Sequence, residues 1–326
     1  MKIGAVEVGD FPVMLAPMED ISDPPFRKIC KKLGADVVFT EFIASEGLIR
    51  DAQKSRKKLE FSEGERPLGI QIFGNKVEAM VMAARLAEEM NPDFIDLNFG
   101  CPVRKIVNKG GGAALLQDIP LLLEITQAVV KAVNKPVTVK TRLGWEEKSK
   151  PIVQLAEQLQ DIGISALTIH GRTRAQLYAG KADWTLIGEV KSNPRMFIPI
   201  IGNGDVIDGP SAAEKRAQTG VDGIMIGRAA TGNPWIFREV KHFLKTGETM
   251  QSPGLAERID ICREHLLTSV EWKGEMVGLL ETRRHYAHYF KGIPDFKQYR
   301  LKLVTAPTIE EILSIFEEIR TKFVII

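Results

Sequence analysis

The sequence predicts an α/β protein, a (β/α)8 TIM barrel followed by a small C-terminal all-helical domain. Three observations carry this expectation. Short β-rich runs recur through the first two-thirds of the chain, at 13–17, 37–40, 68–73, 94–98, 137–141, 166–170, 199–202 and 223–227. These runs are nearly all apolar rather than alternating, as parallel strands covered on both faces must be. Helical spacing fills the intervals, as at 76–90, 120–133, 151–162 and 211–219. Eight such units over about 230 residues suit a closed barrel. An open nucleotide-binding sheet would instead carry G-x-G-x-x-G after its first strand. Here that strand ends in Ala16-Pro17-Met18-Glu19.

The elements follow from local chemistry. Segment 76–90 sets Val77, Met80, Val81, Ala84, Ala87 and Met90 on one stripe, with Asn75 as the expected N-cap. Gly34, Gly163 and Gly220 each follow a helical run, where a left-handed terminator is wanted. Beyond residue 245 the pattern changes. Segment 246–254 reads as a linker, and 255–270, 276–290 and 308–322 read as amphipathic helices. Thr308 and Glu311 form an expected capping box for the last of these, and 323–326 is a short strand-like end. The division is therefore a barrel at 1–245 and a helical domain at 246–326.

Composition excludes several classes. Of 326 residues, 44% are hydrophobic and 26% charged, which fits neither a disordered chain, a collagen-like repeat nor a disulfide-stapled miniprotein. Basic and acidic residues number 44 and 42, a net of +2, so a nucleic-acid partner would need a local patch. Cys30, Cys101 and Cys262 include no C-x-x-C pair, which argues against zinc and points to a reducing compartment. The start lacks a signal peptide's basic and apolar regions, and no apolar run reaches the roughly 18 residues of a membrane span. A cytoplasmic protein without a membrane partner is expected.

In a barrel, the C-terminal strand ends carry function. Here they read Ala16-Pro17-Met18, Thr40-Glu41, Gln71, Asn98-Phe99-Gly100-Cys101-Pro102, Lys140-Thr141-Arg142, His170-Gly171-Arg172, Asn203-Gly204-Asp205 and Gly227-Arg228. Loops after strands seven and eight often bind phosphate, and Gly204 and Gly227 with Arg228 supply backbone approach and a bidentate cation there. Glycines in plain turns are the alternative. Cys101 follows strand four beside Gly100, Pro102 and the Gly110-Gly111-Gly112 run. A free thiol has a pKa of about 8.5, so a protonated Cys101 suits general-acid work. Cys30 and Cys262 read as buried and inert. Lys140, Arg142, His170, Arg172 and Arg174 gather positive charge at one mouth, which suits an anionic ligand such as a reduced flavin with its phosphate. No H-E-x-x-H or serine–histidine–carboxylate order is present, and no metal site is expected.

Seven segments, APMEDISDPPFRKIC, GIQIFG, IDLNFGCPVRKIVNKGGGAALL, VKTRLGW, LTIHGRTRAQ, IPIIGNGDV and GIMIGRAATGNPWIF, resemble the tRNA-dihydrouridine synthases, above all their bacterial B-type branch. The resemblance runs from residue 1 to about 245 and continues more weakly into the tail. Phe99 departs from the methionine of many members; both are apolar. The resemblance implies an FMN barrel that reduces the C5–C6 bond of a D-loop uridine, with NADPH or NADH as transient reductant. Cys101 would give the proton to C5. Ala16, Pro17, Met18, Gln71, Lys140, His170, Asn203, Gly204, Asp205, Gly227 and Arg228 would hold FMN. Asn98, Arg142, Arg172 and Arg174 would face the uridine, together with Lys140 and His170. The base must leave its stack to reach the mouth, so flipping is expected.

The rival reading is an FMN barrel acting on a free pyrimidine. A catalytically silent RNA-binding protein is a third, which the intact set of strand ends argues against. The tail separates the first two. Segment 283–302 holds six basic residues, among them Arg283, Arg284, Lys297 and Arg300, against Asp295 alone, with Tyr286, Tyr289, Phe290, Phe296 and Tyr299 interleaved. It reads either as a tRNA-facing patch or as a solvated helix face over a core. A monomer is expected.

Overall fold

Eight parallel strands close into a ring in the computed structural model, which describes residues 1–50 and 53–324. They are β1 (Val13–Leu15), β2 (Val38–Phe39), β3 (Leu68–Phe73), β4 (Phe94–Phe99), β5 (Val137–Arg142), β6 (Ala166–His170), β7 (Ile200–Asn203) and β8 (Gly223–Ile226). Neighbours pair in chain order from β2 to β8, and β8 pairs with β1. The seam between β1 and β2 is closed by Leu15 N–H donating to Val37 O and Asp36 N–H donating to Val13 O, both at 2.9 Å. A short strand, Ile43–Ala44, lies beside the end of β3.

The base of the barrel is plugged by an element the sequence reading did not foresee. Lys2–Ile3 pairs antiparallel with Val6–Glu7, and Ile3 and Val8 pack with Phe94, Ala166, Ile201 and Met225. Two-residue strands are too short to show a period. Inside the ring, Gly69 leaves room for Phe39: a Cβ there would stand 2.5 Å from that ring. Overfilling a packed interior is destabilising, so the position wants glycine.

Helices cover the ring, with Val77–Glu89, Ile119–Ala132, Ile152–Ile162 and Gly209–Thr219 matching the expected spans to within two residues. Gly34, Gly163 and Gly220 have positive φ of 105°, 105° and 66°. Asn75 is not the N-cap of its helix; Lys76 holds that position without a side-chain bond, and the Asn75 amide lies against Gly110 instead. Thr308 Oγ1 accepts from Glu311 N–H at 3.2 Å, but Glu311 returns no bond, so the capping box is half formed. Helices at Thr185–Ser192, Ile236–Thr246 and Lys297–Thr305 were not foreseen. The strand-like end at 323–326 is corrected: Phe323 closes a helix and Val324 keeps helical backbone. Ile325 and Ile326 lie outside the described residues.

The chain leaves the barrel after Thr246, where Gly247 ends the helix with φ +77°. Four helices follow, Leu255–Lys273, Glu275–Tyr289, Lys297–Thr305 and Ile309–Phe323. They enclose a second core that includes Cys262, Leu266, Tyr286, Phe290, Leu303 and Phe316. Ile29, from barrel helix Pro24–Lys32, inserts into it. Polar contacts fix the join. Lys273 binds both Asp23 and Glu281, and Arg284 Nη1 donates to Asp20 O at 2.6 Å. Among the described residues, no helix is long and apolar enough to cross a membrane.

A buried ion pair anchors the loop after β1. Arg27 Nε meets Glu65 Oε2 at 2.6 Å, with side-chain exposures of 1% and 0%. The same guanidinium donates to Ser22 O at 2.8 Å and Glu60 O at 2.9 Å. Removing one partner leaves an uncompensated buried charge, which costs about 3–5 kcal/mol. Glu65→Gln is expected to lower stability by that amount in urea unfolding followed by tryptophan fluorescence. A loss below about 1 kcal/mol would contradict the anchor.

Candidate active site

Strand alternation builds the mouth. Register partners share a face, and Gln71 on β3 lies opposite Asp96 on β4, Asp96 opposite Thr138 on β5, and Asn98 opposite Lys140. Asn203 on β7 lies opposite His170 on β6. These polar side chains therefore project together into the upper interior, where each needs a partner. Thr138 Oγ1 donates to Asp96 Oδ1 at 2.6 Å, and Gln71 Nε2 donates to Asp96 Oδ2 at 2.5 Å. Asn98 Nδ2 donates to Gln71 Oε1 at 2.8 Å. Lys140 Nζ donates to Asn203 Oδ1 at 3.3 Å, and Asn203 Nδ2 donates to Met225 O at 2.7 Å.

Electrostatics follow from this crowding. Burial raises the Asp96 carboxyl to about 6, although Thr138 and Gln71 stabilise its charge. Burial, then the charge of Arg142, lowers Lys140 to about 8. Burial and the cations Arg142, Lys140, Arg172 and Arg228 hold His170 well below its ordinary range, so the ring is neutral. The mouth thus holds a neutral imidazole and an ammonium with one hydrogen bond to protein among the described residues. Two of its three donors are left for a ligand.

Cys101 begins the loop after β4 and is 8% exposed. Its peptide is gripped on every side. Asn98 Oδ1 accepts from Gly100 N–H at 3.0 Å and Cys101 N–H at 2.9 Å. Arg142 Nε donates to Gly100 O at 2.8 Å, and Ala113 N–H donates to Cys101 O at 3.0 Å. The glycine run matters here: a Cβ on Gly112, φ +58°, would stand 2.8 Å from Cys101 O. Burial pushes the thiol up; the Val103 N–H and the charges of Arg142 and Lys140 pull the other way without overcoming it. The thiol is protonated at neutral pH.

At the β7 and β8 ends, Gly204 has φ +117° and Asp205 φ +55°. Burial would raise the Asp205 carboxyl, but bonds from Arg172 and the Ala182 N–H, with the charges of Arg172 and Arg228, hold it below its usual range. Arg228 follows Gly227, is 57% exposed in its side chain, and stands 4.6 Å from the Tyr178 ring centroid. Its guanidinium reaches Asp205 only at 3.4 Å and is open to an anion. Ala16, Pro17 and Met18 lead away from β1, and a Cβ on Gly227 would stand 3.6 Å from the Met18 sulfur.

Two arginines expected to face substrate are built into the scaffold. Arg142, 3% exposed, also donates to Thr173 O and Leu177 O, both at 2.9 Å. Arg172, 2% exposed, donates to Ala179 O at 3.2 Å, Gly180 O at 2.6 Å and Asp205 Oδ2 at 2.8 Å. Arg174 stacks on Trp145 at 4.5 Å. In the tail, Arg283 donates to Ala306 O at 2.7 Å and Arg284 to the Asp20 loop. Tyr286, Tyr289, Phe290, Phe296 and Tyr299 are buried in the helical core, so they face no nucleic acid. Lys297 and Arg300 are exposed.

Sequence reasoning missed a cleft of about 1080 Å³ between barrel loops and helical domain. Val103, Ile106 and Gly111 of the Cys101 loop line one wall; Trp272, Lys273 and Val277 line the other. Arg50, Lys57, Lys58, Lys105 and Lys109 add cations. Glu19, Asp20 and Glu41 cluster there, with Lys58 bridging Glu19 at 2.5 Å and Glu41 at 3.4 Å. Asp96 and Thr138 were missed too, although a lone acid within an apolar β-run is a visible signal.

A closed parallel barrel with a protonated thiol and a cationic mouth has the architecture of a barrel enzyme, with its polar groups gathered at the C-terminal strand ends. Comparison with known proteins narrows this. Residues 14–322 match the family model described as Dihydrouridine synthase (Dus), and the chain belongs to that family. A probable tRNA-dihydrouridine synthase of Rickettsia conorii is 39% identical over 301 residues, covering 92% of this chain and 90% of the relative. The tRNA-dihydrouridine synthase B of Pseudomonas aeruginosa is 41% identical over 289 residues, covering 88% and 86%. Among solved structures, morphinone reductase in complex with tetrahydroNAD aligns with TM-score 0.53 at 13% identity, covering 78% of this chain and 91% of that one, a likeness of fold.

A raised thiol is a slow nucleophile at neutral pH. Iodoacetamide at pH 7.5 should modify Cys101 more slowly than glutathione, with a rate that climbs through a midpoint above that of a free thiol. Cys30 and Cys262, both fully buried, should stay unmodified. Peptide mass mapping reads all three, and a Cys101 faster than glutathione would mark a thiolate.

Proposed function

We propose that this enzyme saturates the C5–C6 bond of a D-loop uridine in tRNA, with bound FMN as hydride carrier and NADPH or NADH as reductant. The observation that carries the reading is the protonated, clamped Cys101 beside the partly unsatisfied Lys140. FMN, when bound, supplies the hydride for C6. The residues present fit such a group. Lys140 has donors to spare, Gly227 carries no side chain beside Arg228, and the exposed Arg228 suits a phosphate, whereas the Cβ side of Gly204 is filled by Ala182 and His170. Ala16, Pro17, Met18, His170, Asn203, Gly204 and Asp205 would complete the cradle; Gln71, expected there from the sequence, is fully buried with both ends of its amide bonded and serves as a support beneath it.

The proton moves from Cys101 Sγ to C5 of the base. A neutral acid is what this step needs, and burial keeps the thiol in that form. Lys140 places positive charge where the ring carbonyls gain negative charge. Asn98 fixes the Cys101 peptide, while Arg142 and Arg172 set the loops that shape the mouth.

The cleft beside the Cys101 loop favours tRNA over a free pyrimidine. It spans two domains and carries cations on its barrel wall, which a small-molecule enzyme does not need. We place the tRNA backbone along Lys105 and Lys109, with Lys297 and Arg300 as outer contacts. Such an enzyme acts in the cytoplasm, as a monomer in our reading.

Incubating flavin-loaded protein with unmodified tRNA and NADPH should yield dihydrouridine, mapped by mass spectrometry, with no turnover of free uracil or orotate. Phosphate contacts release counterions, so tRNA affinity should fall steeply with salt. Replacing Lys105, Lys109, Lys297 and Arg300 with alanine should weaken binding and flatten the log affinity–log salt slope by roughly 0.7–0.9 per lost phosphate contact. Orotate turnover indifferent to these changes would favour the free-pyrimidine reading.

A further inference from the structure

The hydrogen bonds above Asp96 run in one direction, and a carboxylate sets it. An ionised carboxylate only accepts, so both groups facing Asp96 must donate. Gln71 therefore turns its NH₂ to Asp96 Oδ2, at 2.5 Å, which leaves Oε1 pointing the other way. Asn98 must meet that oxygen with its own NH₂, at 2.8 Å. Asn98 Oδ1 is then left to accept from Gly100 N–H at 3.0 Å and Cys101 N–H at 2.9 Å. Reversing either amide would point an NH₂ at two backbone N–H groups and free the loop. The three side chains are 1%, 0% and 6% exposed for Asp96, Gln71 and Asn98, so bulk water does not replace a lost link.

We propose that Asp96 is a positioning residue for Cys101, acting through the Gln71–Asn98 amide relay whose direction it fixes. It touches no reacting atom. What it supplies is an acceptor, which orients two amides and thereby seats the Cys101 peptide against the Arg142 and Ala113 clamps. The inference rests on the reading of Cys101 as the proton donor, but the relay has a readout of its own.

Asp96→Asn keeps an acceptor for Gln71, because the Thr138 hydroxyl can turn to accept from the new NH₂. Asp96→Leu removes the acceptor at similar size, and Asp96→Ser, too short to reach Gln71, makes the same test should the leucine variant not fold. All are compared as flavin-loaded protein. Asp96→Leu or Asp96→Ser should lower kcat for uridine reduction by roughly ten- to a hundredfold, the cost of a displaced catalytic group, with KM for tRNA within about threefold. Their Cys101 should react with iodoacetamide several-fold faster than wild type, because Asn98 no longer holds the Gly100 and Cys101 N–H groups and only the Arg142 and Ala113 clamps remain. Asp96→Asn should stay within about threefold of wild type in both measurements. Loss in Asp96→Asn as deep as in Asp96→Leu would show that charge, not direction, matters and would overturn the proposal. Unchanged Cys101 alkylation in the leucine and serine variants would also overturn it. If wild-type protein makes no dihydrouridine, the functional reading fails, while the alkylation series still decides the relay.

Discussion

A carboxylate, an ammonium and three amides share the upper interior of the barrel, and the mouth depends on how they satisfy one another. Each would be costly to bury alone. Asp96 takes two donors, Gln71 and Asn98 pass the direction on, and Asn203 holds Lys140. The network stops short of full satisfaction at the ammonium. That shortfall separates a packed barrel from one prepared for a ligand. Burial in the same mouth keeps His170 neutral, with the neighbouring cations adding to it, and keeps Cys101 protonated against the pull of those cations.

The helical domain is tied to this machinery rather than appended to it. Arg284 reaches the backbone of Asp20, and Lys273 binds Asp23, both in the loop that leaves β1. Arg27 and Glu65 hold the same loop from the barrel side. The cleft therefore has two walls set by the contacts that set the β1 end of the mouth. A substrate gripped across the cleft would be registered against Cys101 without a flexible link between the parts.

Much of this was legible because parallel strands bury both faces. Their apolar runs stop where the polar mouth begins, so Gln71, Cys101, Lys140, His170, Asn203 and Arg228 could be read off as strand ends. The roles of Arg142 and Arg172 could not. Composition shows a cation but not the carbonyls of Thr173, Leu177, Ala179 and Gly180 that the fold brings to it. The aromatics of 283–302 were readable in principle. Tyr286, Tyr289 and Phe290 fall three and four apart, the spacing of one buried helical face. The cleft was invisible because its walls come from loops and a helix far apart in the chain.

Separating the two half-reactions tests most directly whether Cys101 protonates the reduced base. With flavin-loaded Cys101→Ala, NADPH oxidation by the flavin should proceed near the wild-type rate. Dihydrouridine formation in tRNA should fall by about 10²–10⁴-fold, the usual contribution of a positioned acid. Wild-type dihydrouridine formation by the alanine variant, or equal losses in both half-reactions, would contradict the account.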